Sequence, residues 1–299
     1  MIFAAIDIGS NAVRLQITNV IRYGDSTTFK KLEFVRFPLR LGGDVFTQKR
    51  IGEQRESDFV KLMQAYKILI DLYKVDEYYA CATSAMREAE NGQELANRVW
   101  KEVGLKINII SGDQEADLIN KVISYHLGED QFIHIDVGGG STELNLYNGY
   151  DKIAAKSFPI GSVRLLNDKD RHEAWEEMYE WIDKYVDSKK EIKAIGTGGN
   201  IKKLFEVSSG QKGEFLSIKT MESCLKDLTK MDYEERMHKL QMNADRADVI
   251  IPASGIYINA MKRSGAQKIL VPDVGLKDGI MAYLYEKNIS TAGLFSFRN

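Results

Sequence analysis

The chain repeats itself, and that repeat limits the folds open to it. Asp7-Ile-Gly-Ser-Asn11 and Asp136-Val-Gly-Gly-Gly140 each stand between an apolar run and a segment in which apolar and polar residues alternate. A shift of 129 positions lays Asp7 on Asp136, Gly9 on Gly138, Leu15 on Leu144 and Asn19 on Asn148, and Ile6, Ile8 and Ile17 fall on Ile135, Val137 and Leu146. Apolar runs before such turns read as buried strands, and the alternation after them as strands buried on one face. A third strand completes each set: 28–37 after Tyr23-Gly-Asp25, and 151–158 after the two-residue hairpin signal Asn148-Gly149. A single duplication of this length, with mixed elements, points to two related α/β lobes rather than a solenoid, with a cleft where the two Asp-Gly turns converge on a ligand.

The remaining elements follow from periodicity. In the first half, Phe59, Leu62, Met63, Tyr66, Leu69, Ile70 and Tyr73 recur at helical spacing and predict a helix over 56–74. A strand is expected over 78–83, and a helix opened by an Asn91/Glu94 capping box and closed by Gly104. A strand over 106–110 then leads into a helix that Asp113 caps and Gly128 stops. The second half offers a helix bearing Trp175, Met178, Ile182 and Tyr185, a strand over 192–195, and a glycine turn leading into a helix from about Ile201. Helices within 217–239 and 245–263, a strand over 268–271 and a helix over 275–287 end the chain. The expected order is β-β-β-α-β-α-β-α in each lobe, with lobes over 1–127 and 128–299 and the last helix a candidate to pack back on the first lobe.

Composition narrows the class. With 299 residues, 44% hydrophobic and 28% charged, the chain has material for two cores. No run of 18 or more uncharged apolar residues predicts a membrane span, and Asp7 arrives too early for a signal peptide, so the expected location is cytoplasmic. A net charge of −2 argues against a nucleic-acid scaffold. Cys81 and Cys224 lack C-x-x-C spacing and read as free thiols. His134, alternating with Ile133 and Ile135, reads as structural.

The chemistry concentrates at the glycine turns. A residue without Cβ lets backbone N–H groups approach an anion closely, and Asp136 and Glu143 flank their turn with oxygens suited to a divalent cation. On its own this stretch fits either a plain glycine hairpin or an anion site.

Six segments in order resemble the exopolyphosphatase and guanosine-pentaphosphate phosphohydrolase family, within the superfamily of two-lobed folds that includes actin, heat-shock chaperone ATPases and sugar kinases. They are Ala5-Ile-Asp-Ile-Gly-Ser-Asn11, Ala82-Thr-Ser-Ala-Met-Arg-Glu-Ala-Glu-Asn91, Ile110-Ser-Gly-Asp-Gln-Glu-Ala116, Ile135-Asp-Val-Gly-Gly-Gly-Ser-Thr-Glu143, Pro159-Ile-Gly-Ser-Val-Arg-Leu165 and Gly196-Thr-Gly-Gly199. Two departures stand out: Gln114 where the family usually carries the first of paired glutamates, and Lys277 where arginine is common. Longer relatives append helical and C-terminal domains, so the chain resembles the two-lobed core alone.

The resemblance implies two RNase H-like (actin-like ATPase) lobes and a phosphoanhydride hydrolase acting on the end of polyphosphate. Guanosine pentaphosphate is the alternative substrate, and a superfamily kinase or a noncatalytic sensor of polyphosphate or alarmone are further readings. Glu115 matches the family's water-activating glutamate and Arg87 its phosphate-contacting arginine. A phosphate cradle is expected from the turn residues Gly138, Gly139, Gly140 and Ser141 with Ser10 and Asn11, and Mg²⁺ or Mn²⁺ on Asp7, Asp136 and Glu143. Gly196, Thr197, Gly198 and Gly199 would face the nucleotide or the next phosphates of a polymer. Lys30, Lys31, Arg36, Arg40, Lys202, Lys203, Lys262 and Arg263 are candidates for a basic track, and a homodimer is a candidate assembly.

Overall fold

A computed structural model describes residues 1–24, 26–167, 171–209 and 215–295, so Asp25 of the first hairpin signal lies outside the described residues. In chain order the elements are β1 (Ile2–Ile8), β2 (Val13–Tyr23), β3 (Ser26–Phe37), α1 (Leu41–Gln48), α2 (Glu53–Leu72), β4 (Glu77–Ala82), α3 (Ser84–Glu88), α4 (Gly92–Val103), β5 (Ile107–Ile109) and α5 (Gly112–Ile123). They continue with β6 (Gln131–Val137), β7 (Thr142–Asn148), β8 (Asp151–Phe158), α6 (Arg164–Asn167), α7 (His172–Tyr185), β9 (Ile192–Thr197), α8 (Gly199–Ser209) and β10 (Phe215–Ser217). The last are α9 (Ile218–Lys230), α10 (Tyr233–Leu240), α11 (Ala244–Ala247), α12 (Ile250–Ser264), β11 (Lys268–Leu270) and α13 (Leu276–Phe295).

The chain divides into two compact units: Met1–Tyr125 with Gly275–Asn299, and His126–Val274. The first has a five-stranded sheet of order β3-β2-β1-β4-β5, with β1, β4 and β5 parallel, β2 antiparallel to them and β3 antiparallel to β2. The second repeats that order as β8-β7-β6-β9-β11 and adds β10 at its edge, antiparallel to β11. Each is an RNase H-like unit. The duplication reaches a detail that no residue pattern signals: the register slips between Ile17 and Thr18 in β2, and between Leu146 and Tyr147 in β7, the same two positions under the 129-residue shift.

Each unit has its own core. Ile6, Leu15, Phe59, Met63 and Tyr66 belong to the first, and Ile135, Leu144, Met178, Ile201 and Tyr257 to the second. Helix α13 belongs with the first unit although it follows the second in sequence. Gly279 brings it close to α5, since a Cβ there would lie 2.1 Å from the Leu118 carbonyl oxygen. Lys121 on α5 pairs with Glu286, and Thr27 on β3 bonds Tyr285.

Two expected caps are corrected. Asn91 precedes α4 without capping it: its side chain accepts from the Ile51 N–H and donates to the Ile51 carbonyl and to Glu56, so it ties a loop down instead. Helix α5 is capped by Ser111, two residues before Asp113, because Ser111 reaches the Gln114 N–H while the Gln114 side chain accepts from the Ser111 N–H. This reciprocal pair also accounts for Gln114, since an amide oxygen completes the box as a carboxylate would. Helices α1, α3 and α6 and strand β10 are too short for periodicity to reveal.

Candidate active site

In the first unit, every singled-out segment follows the carboxyl end of a parallel strand. Asp7 on β1 lies beside Cys81 on β4, and Cys81 beside Asn108 on β5. Beyond those ends come the turn at Gly9, the helix α3 with Arg87, and the helix α5 with Glu115. This edge is where open α/β sheets bind ligands, because the strands stop and the connecting loops splay apart. The loops are laced together: the Thr83 N–H donates to the Ile8 carbonyl at 3.1 Å and the Ile110 N–H to the Ala82 carbonyl at 3.0 Å. The buried hydroxyls of Ser10 and Ser84 share a hydrogen bond of 2.8 Å.

Arg87 meets the segment that leads into the helix carrying Glu115. Arg87 Nη1 donates to the Ile110 carbonyl at 2.7 Å, which fixes its guanidinium beside the residue that leads into the Ser111 cap. Glu115 sits in the first turn of α5, where the helix dipole favours an ionised carboxylate. Burial pushes the Cys81 thiol well up, and the charges of Asp7 and Glu115 push it further. Both carboxylates therefore act on one thiol at the end of β4.

The turn at Gly9 closes with its N–H on the Ala12 carbonyl at 3.2 Å, and the turn at Gly138 with its N–H on the Ser141 carbonyl at 2.9 Å. The Gly138 amide is thereby committed inside its own turn, which corrects its place among the anion donors. In the second unit Asp136 stands directly across from Glu143 in the β6–β7 register. Oε1 of Glu143 accepts from the Ser141 hydroxyl at 2.6 Å and from the Ser157 hydroxyl at 2.9 Å. Burial raises the Tyr257 hydroxyl far above its ordinary pKa, and the charges of Asp136 and Glu143 raise it further, so both acids lie near it. That hydroxyl accepts from the Val137 N–H and donates to the Thr197 carbonyl, binding the ends of β6 and β9.

The Gly196-Thr-Gly-Gly199 turn adjoins Asp136, since a Cβ on Gly198 would lie 3.0 Å from Asp136 Oδ1. Gly196 packs against Ile269 and Ile201, and the Gly199 carbonyl accepts from Arg246. Thr197 is fully buried, with its hydroxyl on His134 Nε2 at 2.9 Å, so its side chain serves the turn and not a ligand. Asn145 bonds the other ring nitrogen at 2.9 Å. Burial holds the pKa of His134 down to about 3, so the ring is neutral and structural.

Two hard carboxylates face each other at Asp136 and Glu143, an oxygen donor set that fits a divalent cation keeping several waters. Among the described residues no three His, Cys, Asp or Glu side chains gather as a metal cluster, so water or substrate oxygens would have to complete the shell. Asp7 fits a metal less well, because Arg14 Nη1 already holds its Oδ2 at 2.7 Å.

The basic track is corrected in the second unit. Lys262 and Arg263 end α12 and lie just before β11 begins, at the amino edge of the sheet, opposite the glycine turns. They pair with Glu222 and Asp183, while Lys202 and Lys203 pair with Asp273 and Glu206. Residues that sequence reasoning missed include Tyr257, Ser157, Arg14 and Arg164. The register pairing Asp7 with Arg14 and Asp136 with Glu143 shows that Arg14 stands where the repeat puts Glu143, a difference legible in the 129-residue shift itself.

Two duplicated RNase H-like units with glycine turns at the carboxyl edges of their sheets define the class. Within it, the chain belongs to the Ppx/GppA phosphatase family, whose model matches residues 20–288. Among curated relatives, it is 29% identical to a bifunctional 3-dehydroquinate synthase/phosphatase of Fusobacterium nucleatum over 95% of this chain and 46% of that protein. It is 22% identical to a guanosine-5'-triphosphate,3'-diphosphate pyrophosphatase of Photobacterium profundum, over 96% of this chain and 60% of that protein. Exopolyphosphatase 1 of Mycobacterium leprae is also 22% identical, over 94% of this chain and 88% of that protein. The chain thus spans about half the length of the first two. A solved Aquifex aeolicus member of the family matches at 28% identity and a TM-score of 0.76, over 96% of this chain and 98% of that one. An exopolyphosphatase from Cytophaga hutchinsonii shares the fold at a TM-score of 0.82 and 23% identity, over 96% and 98% of the two chains. Among the described residues no helix is long and apolar enough to cross a membrane.

Proposed function

We propose that this protein is a phosphoanhydride hydrolase that releases orthophosphate from the end of inorganic polyphosphate. The observation that carries the reading is the placement of Arg87 and Glu115 at one sheet edge, with the guanidinium held on the Ile110 carbonyl and Glu115 one turn into the helix that follows. In the reaction, water attacks the terminal phosphorus, its proton passes to the Glu115 carboxylate, and the bond to the bridging oxygen breaks. The shortened polyphosphate leaves as the anion. Arg87 offers a planar fork to the phosphoryl oxygens. The amides of Gly139, Gly140 and Ser141 hold the anion in the second unit, and Ser10 and Asn11 are the polar groups at the corresponding turn of the first.

The family implies a divalent cation, and we take it to be Mg²⁺ or Mn²⁺ on Asp136 and Glu143, with Asp7 nearer to a positioning role through Arg14. Bound there, it would neutralise charge on the phosphoryl oxygens. Hydrolysis of the 5′-γ-phosphate of guanosine pentaphosphate is the second reading, favoured by the equal identity to the Photobacterium relative. A cytoplasmic location and pairing into a homodimer belong to the same proposal.

The test is a phosphate-release assay across polyphosphates of several lengths, guanosine pentaphosphate and ATP, each with Mg²⁺ and with Mn²⁺. Preferred release from polyphosphate, weakening steeply with salt, is expected. ADP formation only with an added acceptor would make the protein a kinase, and tight binding with no release would make it a sensor.

A further inference from the structure

The segment that returns after β8 bonds every carbonyl of the glycine turn. The Ser162 N–H and hydroxyl donate to the Gly138 carbonyl at 3.0 and 3.2 Å, and the Val163 and Arg164 N–H groups to the Gly139 carbonyl at 2.8 and 3.0 Å. Nε of Arg164, a side chain that is almost wholly buried, donates to the Gly140 carbonyl at 2.7 Å. Gly161 permits this approach, because a Cβ there would come within 2.4 Å of the Gly139 carbonyl oxygen.

A trans peptide points the carbonyl of one residue and the N–H of the next in opposite directions. With the carbonyls of Gly138, Gly139 and Gly140 turned onto the strap, the N–H groups of Gly139, Gly140 and Ser141 must face away from it. The carbonyl oxygens that would repel a phosphate are occupied, and three donors are left on one side. We infer that residues 162–164 form a positioning strap, with Arg164 as its key, that aims the amides of Gly139, Gly140 and Ser141, and not that of Gly138, at a phosphoryl group. The inference rests on the anion-binding part of the proposed function.

The first unit carries the same device in a plainer form. Gly42 and Arg40 donate their backbone N–H groups to the carbonyls of Ser10 and Asn11 at 2.8 and 3.0 Å. Both straps begin alike, as Phe37-Pro38-Leu39 and Phe158-Pro159-Ile160, each with its third N–H on the Phe carbonyl. Only the second uses a buried guanidinium, which adds positive charge behind the cradle. Arg164 acts through the turn and is a positioning residue.

Orthophosphate is the probe. Titrated into the nitrogen-15-labelled full chain, it should shift the amides of Gly139, Gly140 and Ser141 and leave that of Gly138 in place. Shifts at all four or at none would overturn the inference without any variant. Arg164→Met should weaken orthophosphate binding roughly tenfold by calorimetry, and Arg164→Lys should recover much of it, with both variants keeping circular dichroism and melting close to the parent. Unchanged affinity in a folded Arg164→Met would overturn the role of Arg164; should that variant fail to fold, the wild-type titration still decides. Orthophosphate binding needs no turnover. A protein that binds the anion this way but releases none from any phosphoanhydride would end the hydrolase reading and leave the strap standing.

Discussion

The turns at Gly9 and Gly138 share a strand order, a closing hydrogen bond and a register slip, yet they face different charges. Across from Asp7 stands Arg14, and across from Asp136, at the same position of the repeat, stands Glu143. The first pairing neutralises its acid with an ion pair. The second places two acids side by side and fixes one of them with two serine hydroxyls. Like charges so placed repel unless a cation joins them. One scaffold, duplicated, thus carries two kinds of turn: in the first unit the acid is ion-paired and Arg87 and Glu115 follow neighbouring strands, and in the second two acids stand across from each other beside the glycine turn.

That division can be broken by experiment. The largest effect is expected from Glu115→Gln, which should lower kcat about 10²- to 10⁴-fold with little change in KM or melting temperature. Turnover near that of the parent would take the base away from the first unit. Next, Asp136→Asn should weaken Mn²⁺ binding by calorimetry roughly tenfold or more, whereas Asp7→Asn should change it only a few-fold. Equal losses would erase the contrast between the acid pair and the ion pair.

A third test uses His134, which occupies the place that Ala5 holds in the first unit. The folded ring resists protonation down to about 3. The unfolded chain takes up that proton near pH 6.5, so it binds more protons between the two values and stability falls as pH drops through this window. At about pH 5.5 the loss should be about 1.4 kcal/mol, and it should be absent in His134→Gln. Hydrogen exchange should place it in the second unit; a loss spread evenly over both would disconnect it from His134. The smallest effect is expected for Gln114→Glu, which keeps the Ser111 cap and should alter stability by less than about 0.5 kcal/mol and turnover less than about twofold. A large gain in rate would mean that the second carboxylate has a chemical part in the first unit.

Much of this was legible in the sequence because its signals are local. Apolar runs marked β1 and β6, alternation the strands after the two Asp-Gly turns, turn signals β3 and β8, and the helical stripe from Phe59 to Tyr73 marked α2. The caps were harder, since Asn91 and Asp113 suit an N-cap by type, and only tertiary contacts show that Asn91 is engaged by Ile51 and that Ser111 reaches Gln114 first. The Phe-Pro-apolar start of both straps was present but hidden from the 129-residue shift, because the second and third strands of the second unit are shorter and displace it. Arg164 stood inside a matched segment, Pro159-Ile-Gly-Ser-Val-Arg-Leu165, but nothing in that spacing told that its guanidinium would be buried against the glycine turn.

The sequence by itself determined the duplication, the strand order it implies and the residue types at each turn, because these depend on side-chain periodicity and on the backbone freedom of glycine. Only the tertiary structure decided which groups meet. Arg87 reaches the residue just before the cap of Glu115's helix because β4 and β5 are neighbours, Arg14 holds Asp7 because β1 pairs with β2, and the glycine amides face one way because a strap from beyond β8 takes their carbonyls. Such encounters depend on strand pairing between distant segments and on the direction of individual peptide planes, and neither is written in the spacing of residues along the chain.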